Sequence, residues 1–304
     1  MTLKLAGHIM LPAHRAKGGF DHAAVHAASG HVYVAHTAND AVDVFDQEKY
    51  LFSIPNLPGV AGALVSDEAD LIFSSNRSEN TVGIFSPGPD PAVIKVGVGM
   101  GPNGLAYDHS RQLLLAANVG NPAIAGSHTV TMVDAGGAAA RAESPMPGRT
   151  RWTVYDAGSG LFYVNIMNPA VIAVVDARKP DVLAHMYAVP AAGPHGLDFD
   201  PATRRLFCAC DAGQLVTLDA GTGRILGSAP LSGVPDVIFF DRHRQRLYVA
   251  VGDPGVIDVF DTATMKNVGR VETEKGAHTT ALTPSGDRLY VFLPATHRAA
   301  IYQA

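Results

Sequence analysis

One pattern recurs seven times along the 304 residues: a β-rich run, a turn, and a second β-rich run, often closed by Asp. It reads HVYVAHTANDAVDVFD (31–46), DLIFSSNRSENTVGIFS (70–86), RQLLLAANVGNPAIAGSHTVTMVD (111–134), GLFYVNIMNPAVIAVVD (160–176), RRLFCACDAGQLVTLD (204–219), QRLYVAVGDPGVIDVFD (245–261) and DRLYVFLPATHRAAIYQA (287–304). The starts lie 39, 41, 49, 44, 41 and 42 residues apart. A lone hairpin of this kind cannot bury its apolar face. A period near 42 residues suits a four-stranded propeller blade packed against like neighbours.

The flanking sequence fills each unit out to four strands. In the fifth, GLDFD (196–200) reads as inner strand a, RLFCAC (205–210) as b, QLVTLD (214–219) as c and RILGSA (224–229) as outer strand d. PATR (201–204) and AGTG (220–223) make the turns, and 31 Gly with 20 Pro supply the many tight corners such a ring needs. The third unit departs most, with NVGNPAIAGSH lengthening its b–c loop. The last unit has strands a, b and c only, while LKLAGHIML (3–11) offers a spare β-like run. If that run completes the last blade, the ring closes and two vulnerable sheet edges disappear. The sequence therefore predicts an all-β, seven-bladed β-propeller of four-stranded antiparallel blades over 1–304, a single domain closed by an N-terminal strand.

The strand-b runs VYVAHT (32–37), LIFSSN (71–76), LLLAAN (113–118), LFYVNI (161–166), LYVAVG (247–252) and LYVFLP (289–294) precede V-x-V-x-D-like runs. In this they resemble the YVTN-type repeats of seven-bladed propellers, a group similar in layout to lactonase-like propellers. The resemblance spans nearly the whole chain. It implies architecture and carries over no catalytic motif.

Charged residues are 17% of the chain and the formal net charge is −5, with no basic tract. A nucleic-acid or anionic-membrane partner is not expected. The two cysteines, Cys208 and Cys210, stand at i and i+2 of one strand, a poor geometry for a bridge. MTLKLAGHIMLPAHRAK makes a poor signal peptide, so a cytoplasmic protein is expected; a chain already stripped of an export signal would read the same way.

Inner strands converge on a central channel, and the first residue of each strand a lies near its mouth. Aligned by the apolar run that follows, these are His22, Ala61, Asn103, Arg151, His195, Asp236 and His278. His195, Asp236, His278 and His22 fall in consecutive blades once the ring closes. Three imidazoles and a carboxylate in one arc suit a divalent ion such as Zn²⁺, Fe²⁺ or Mn²⁺. An ordered-water network is the bland alternative. Arg151 would neutralise an anionic substrate group, Asn103 would orient substrate, and His36, at the end of strand b in the His22 blade, would move protons or cap the HTAND turn. Trp152, next to Arg151, should face away from the channel by strand alternation. His128 is placed either over the mouth as a lid or in solvent.

Asp46, Asp134, Asp176, Asp219 and Asp261 close the c strands and read as turn formers. The leading functional expectation is a metal-dependent hydrolase acting on a small lactone or ester, or a related lyase, with its site at the channel mouth. The alternatives are a non-catalytic propeller that binds a protein or small molecule, and a ring tied structurally by a metal. The partner expected is a small molecule, with Arg151 favouring an anionic one.

Overall fold

The computed structural model describes residues 3–304; Met1 and Thr2, which open the N-terminal stretch, lie outside the described residues. Seven four-stranded antiparallel sheets follow one another along the chain. The first comprises Ala23–Val25, Val32–His36, Ala41–Phe45 and Tyr50–Ile54, running from the channel outward. The remaining inner strands are Val60–Ser66, Pro102–Asp108, Thr150–Asp156, Pro194–Asp200, Val234–Asp241 and Thr280–Leu282. Val, Ile, Leu, Phe and Tyr dominate the middle strands because both faces of a blade are covered by neighbouring blades, which leaves no solvent face to alternate with. Val32–His36 and Leu113–Asn118 are buried along their whole length.

The seventh sheet closes as the spare N-terminal run predicts. Lys4–Met10 lies antiparallel to Arg298–Gln303 as the outer strand, with Ile9 opposite Ala299 and only 2% exposed. First and last strands of the chain thus share a sheet, and the ring has no open seam.

Aromatic rings bridge the blades. Phe45 of the first blade meets Tyr290 and Phe292 of the seventh, Phe73 meets Tyr107, Tyr163 meets Phe199, and Phe207 meets Phe240. Tilted and edge-on ring pairs stabilise beyond what their buried area alone supplies. On the face carrying the a–b and c–d turns, the recurrent aspartates act as read from the sequence. Asp46 accepts the amides of Glu48 and Lys49, Asp134 those of Gly136 and Gly137, and Asp219 those of Gly221 and Thr222.

The inner strands are not regular. A bulge interrupts the pairing of strands a and b between Val60 and Gly62, Pro102 and Leu105, Thr150 and Thr153, Pro194 and Gly196, and Pro235 and Ile238. Each sits at the channel mouth, where it turns side chains toward the axis.

Candidate functional site

Glycine brings the mouth together. A Cβ on Gly62 would lie 2.7 Å from the Asn103 carbonyl oxygen, one on Gly104 would lie 2.6 Å from that of Arg151, and one on Gly196 would lie 2.2 Å from that of Asp236. In each case the blade lacks a side chain where the next blade's axial residue crosses it. Elsewhere the axial residues are tied by the ring's backbone. The His22 amide donates to the Ala61 carbonyl, and the Val237 amide to that of His278. The Asn165 side chain donates to the His195 carbonyl.

On this frame the structure brings four of the expected residues into one hydrogen-bonded row. His195 Nδ1 lies 2.7 Å from Asp211 Oδ1, and its Nε2 lies 3.2 Å from Asp236 Oδ1. Asp236 Oδ2 is 2.8 Å from His278 Nδ1. Arg151 NH1 stands 3.1 Å from His195 Nε2, and its NH2 stands 3.6 Å from Asp211 Oδ2. Beside this row, Arg77 donates to Asn103 Oδ1 at 2.6 Å and pairs with Asp21 at 3.2 Å. Asp21 also lies 3.3 Å from His22 Nε2.

Charge sets the protonation pattern. Burial alone would lower His195, but Asp236 and Asp211 outweigh it and push its pKa up to about 9. Burial pulls His278 the same way, and Asp236 again outweighs it, so its pKa rises. Asp236 would rise on burial, yet the two imidazoles hold it well below the usual carboxylate range. His22 is the exception. Its burial dominates over Asp21 and lowers it, so it is neutral. Protonated His195 donates from both ring nitrogens, which makes the 3.1 Å approach of Arg151 a contact between like charges.

A residue absent from the sequence reading completes the mouth. Arg149 is exposed, its guanidinium has no carboxylate partner among the described residues, and its pKa is lowered by desolvation and by the neighbouring Arg151 and Arg77. The Nε atoms of Arg77 and Arg151 are buried and have no acceptor among the described residues. Arg149 sits two residues before Arg151 in GRTRW, on the same side of an extended run, and that spacing was the available signal.

Three expected positions fall elsewhere or point differently. His36 is fully buried away from the row, with Nδ1 2.6 Å from Asp43 Oδ2 and Nε2 2.7 Å from His14 Nδ1. Trp152 does not turn away from the channel. The bulge between Thr150 and Thr153 breaks the alternation, and Trp152 lines the channel with its ring centroid 4.0 Å from that of His22. His128 bonds through Nδ1 to the Val119 carbonyl and so ties the base of the long third-blade loop. Cys208 and Cys210 are free and buried, with sulfurs 3.8 Å apart, and burial pushes the Cys208 thiol well up.

His195 and Asp236 hydrogen-bond to each other and to Asp211 and His278. Among the described residues, no group of three or more His, Cys, Asp or Glu side chains is gathered for a metal. A divalent ion would have to replace those hydrogen bonds.

No protein-family model matches the chain, and no curated protein matches it in sequence. Solved structures do. A chain of a mitotic checkpoint complex aligns with a TM-score of 0.83 at 12% identity, covering 99% of this chain and 92% of that one. A hydrazine synthase chain from Kuenenia stuttgartiensis aligns with a TM-score of 0.83 at 11% identity, covering 96% and 97%. Two such different assemblies sharing one architecture, at such identities, carry the fold and no activity. This chain is a seven-bladed β-propeller of four-stranded antiparallel blades, similar in fold to both.

Proposed function

We propose that this propeller is a binding module that takes a small carboxylate-bearing molecule in its axial mouth. The observation that carries this reading is the unpartnered Arg149 guanidinium beside Arg151 and Arg77. Arg77, Arg149, Arg151 and protonated His195, with His278 raised beside them, bring more positive charge than the three carboxylates Asp21, Asp211 and Asp236 offset. That surplus suits an anionic carboxylate. A ligand carboxylate accepting from Arg149 and Arg151 would satisfy orphan donors and relieve the Arg151–His195 contact. Asn103 holds Arg77 in place, and so acts as a positioning residue.

The test is calorimetric titration with lactate. The wild type binds one equivalent, and Arg149→Gln weakens binding at least tenfold, the effect of about 1.4 kcal/mol, with Tm unchanged. Equal affinity in the variant overturns the reading.

A second reading, metal-dependent hydrolysis of a lactone or ester or a related lyase reaction, rests on the convergence of His195, Asp236 and His278 and on the likeness of the repeats to lactonase-like propellers. Uptake of one equivalent of Zn²⁺ that is lost in His195→Ala/His278→Ala would favour it over the binding module.

A further inference from the structure

Below the tilted His22–Trp152 ring contact the channel changes character. It opens into a cavity of about 320 Å³ reached from the face with the a–b turns. Small residues of the first three blades, Ala23, Ala24, Gly62, Ala63 and Ala106, make room for it, while Trp152 forms an aromatic wall. This volume suits a one-ring molecule.

Polar groups such as Ser66, Tyr107 and Tyr155 interrupt the apolar lining, and one wall carboxyl stands apart from them. Asp198, on the inner strand Pro194–Asp200 of the fifth blade, faces the cavity with no cationic partner among the described residues. It accepts only two backbone amides, Phe199 at 2.7 Å and Phe240 of the next blade at 2.6 Å. Burial raises its pKa to about 7 against those two amides. Glu68 adds a second carboxyl to the lining and His109 an imidazole, while His22, above, is lowered by its own burial and brings no compensating charge. The cavity is therefore acidic, where the mouth on the opposite face is basic.

We infer that the lower channel is a second binding site, independent of the mouth, for a small aromatic or aliphatic ammonium ion that pairs its cation with Asp198 and lays its apolar part along Trp152. A carboxylate walled by hydrocarbon lacks the partner that normally accompanies a buried charge, and an organic cation supplies it without widening the channel. The tryptophan face adds attraction for the same charge.

Trp152 is the single tryptophan of the chain, so its fluorescence reports the cavity directly. Phenethylamine titrated into the wild type is expected to change that emission saturably, and the neutral phenethyl alcohol to bind at least tenfold more weakly. Asp198→Asn abolishes the preference for the amine. Ala24→Phe, which fills the cavity and leaves Asp198 intact, abolishes binding of both probes and covers the case in which Asp198→Asn fails to fold. Lactate binding at the mouth, measured by calorimetry, survives in Ala24→Phe, so failure of one site is distinguishable from failure of the other. No saturable response to phenethylamine, equal affinity for the alcohol, or full binding in Ala24→Phe would each overturn the inference.

Discussion

His195 and Asp236 show how a few ångströms decide the chemistry of the mouth. Taken alone, each buried group would tend toward its neutral form; side by side they hold each other charged. The pH dependence follows in sign. The folded-state pKa of His195 stands at about 9, above the ordinary 6.5, so its contribution to stability is complete below about pH 6.5 and is lost as pH rises through 9. Asp236 is depressed, so its contribution is present above the ordinary carboxylate pKa and is lost only in acid. Stability measured by urea unfolding is expected to decline between pH 7 and pH 10, by at most about 1.4 kcal/mol per pH unit for each proton. His195→Gln flattens that decline, with His278 retaining the remainder in the same direction. A variant with the wild-type slope would contradict the assignment. The identities of these residues were legible from strand alignment. Their partners were not, because Asp211, Asp21 and Arg77 come from loops and flanking positions that repeat alignment does not compare.

The blades explain which parts of the site could be read in advance. Strands b and c alternate and pair without interruption, so Val32–His36 or Arg205–Cys210 could be placed by pattern alone. Strand a carries the bulges. Rigid alternation turned Trp152 outward, and the extra residue at Thr150–Thr153 turned it in. His36 was misleading for a related reason: its strand ends near the mouth, but Asp43 on the next strand draws the ring into the blade. The glycines that follow Asn103 and His195 were visible as NG and HG, and their purpose emerges only when the next blade's carbonyl is seen against them. Gly196→Ala sets a methyl against the Asp236 carbonyl and is expected to cost about 3 kcal/mol in chemical unfolding, with lactate affinity falling as Asp236 shifts. The closing strand is tested separately. Ile9→Ala removes a side chain buried in the seventh blade and is expected to cost about 3 kcal/mol, whereas a loss under about 0.5 kcal/mol, the size of a surface change, would mean the strand is not held as described.

Seven repeats closing on themselves create an axis that no single repeat possesses, and the chemistry gathers there. Repetition fixes where each blade's first inner residue must lie, while departures from repetition at those positions give the mouth its arginines, carboxylates and imidazoles. The same departures make the two ends of the channel opposite in charge, with Arg149 and Arg151 at one face and Asp198 and Glu68 toward the other. No helix among the described residues is long and apolar enough to cross a membrane. The central claim is that the mouth recognises a carboxylate with a charge set that includes protonated His195. Its most direct test is calorimetric titration of lactate into the wild type at pH 7 and at pH 10. The account predicts one saturable site at pH 7 and binding several-fold weaker at pH 10, where His195 has lost its proton. Absence of saturable binding at pH 7, or the same affinity at both pH values, would contradict it.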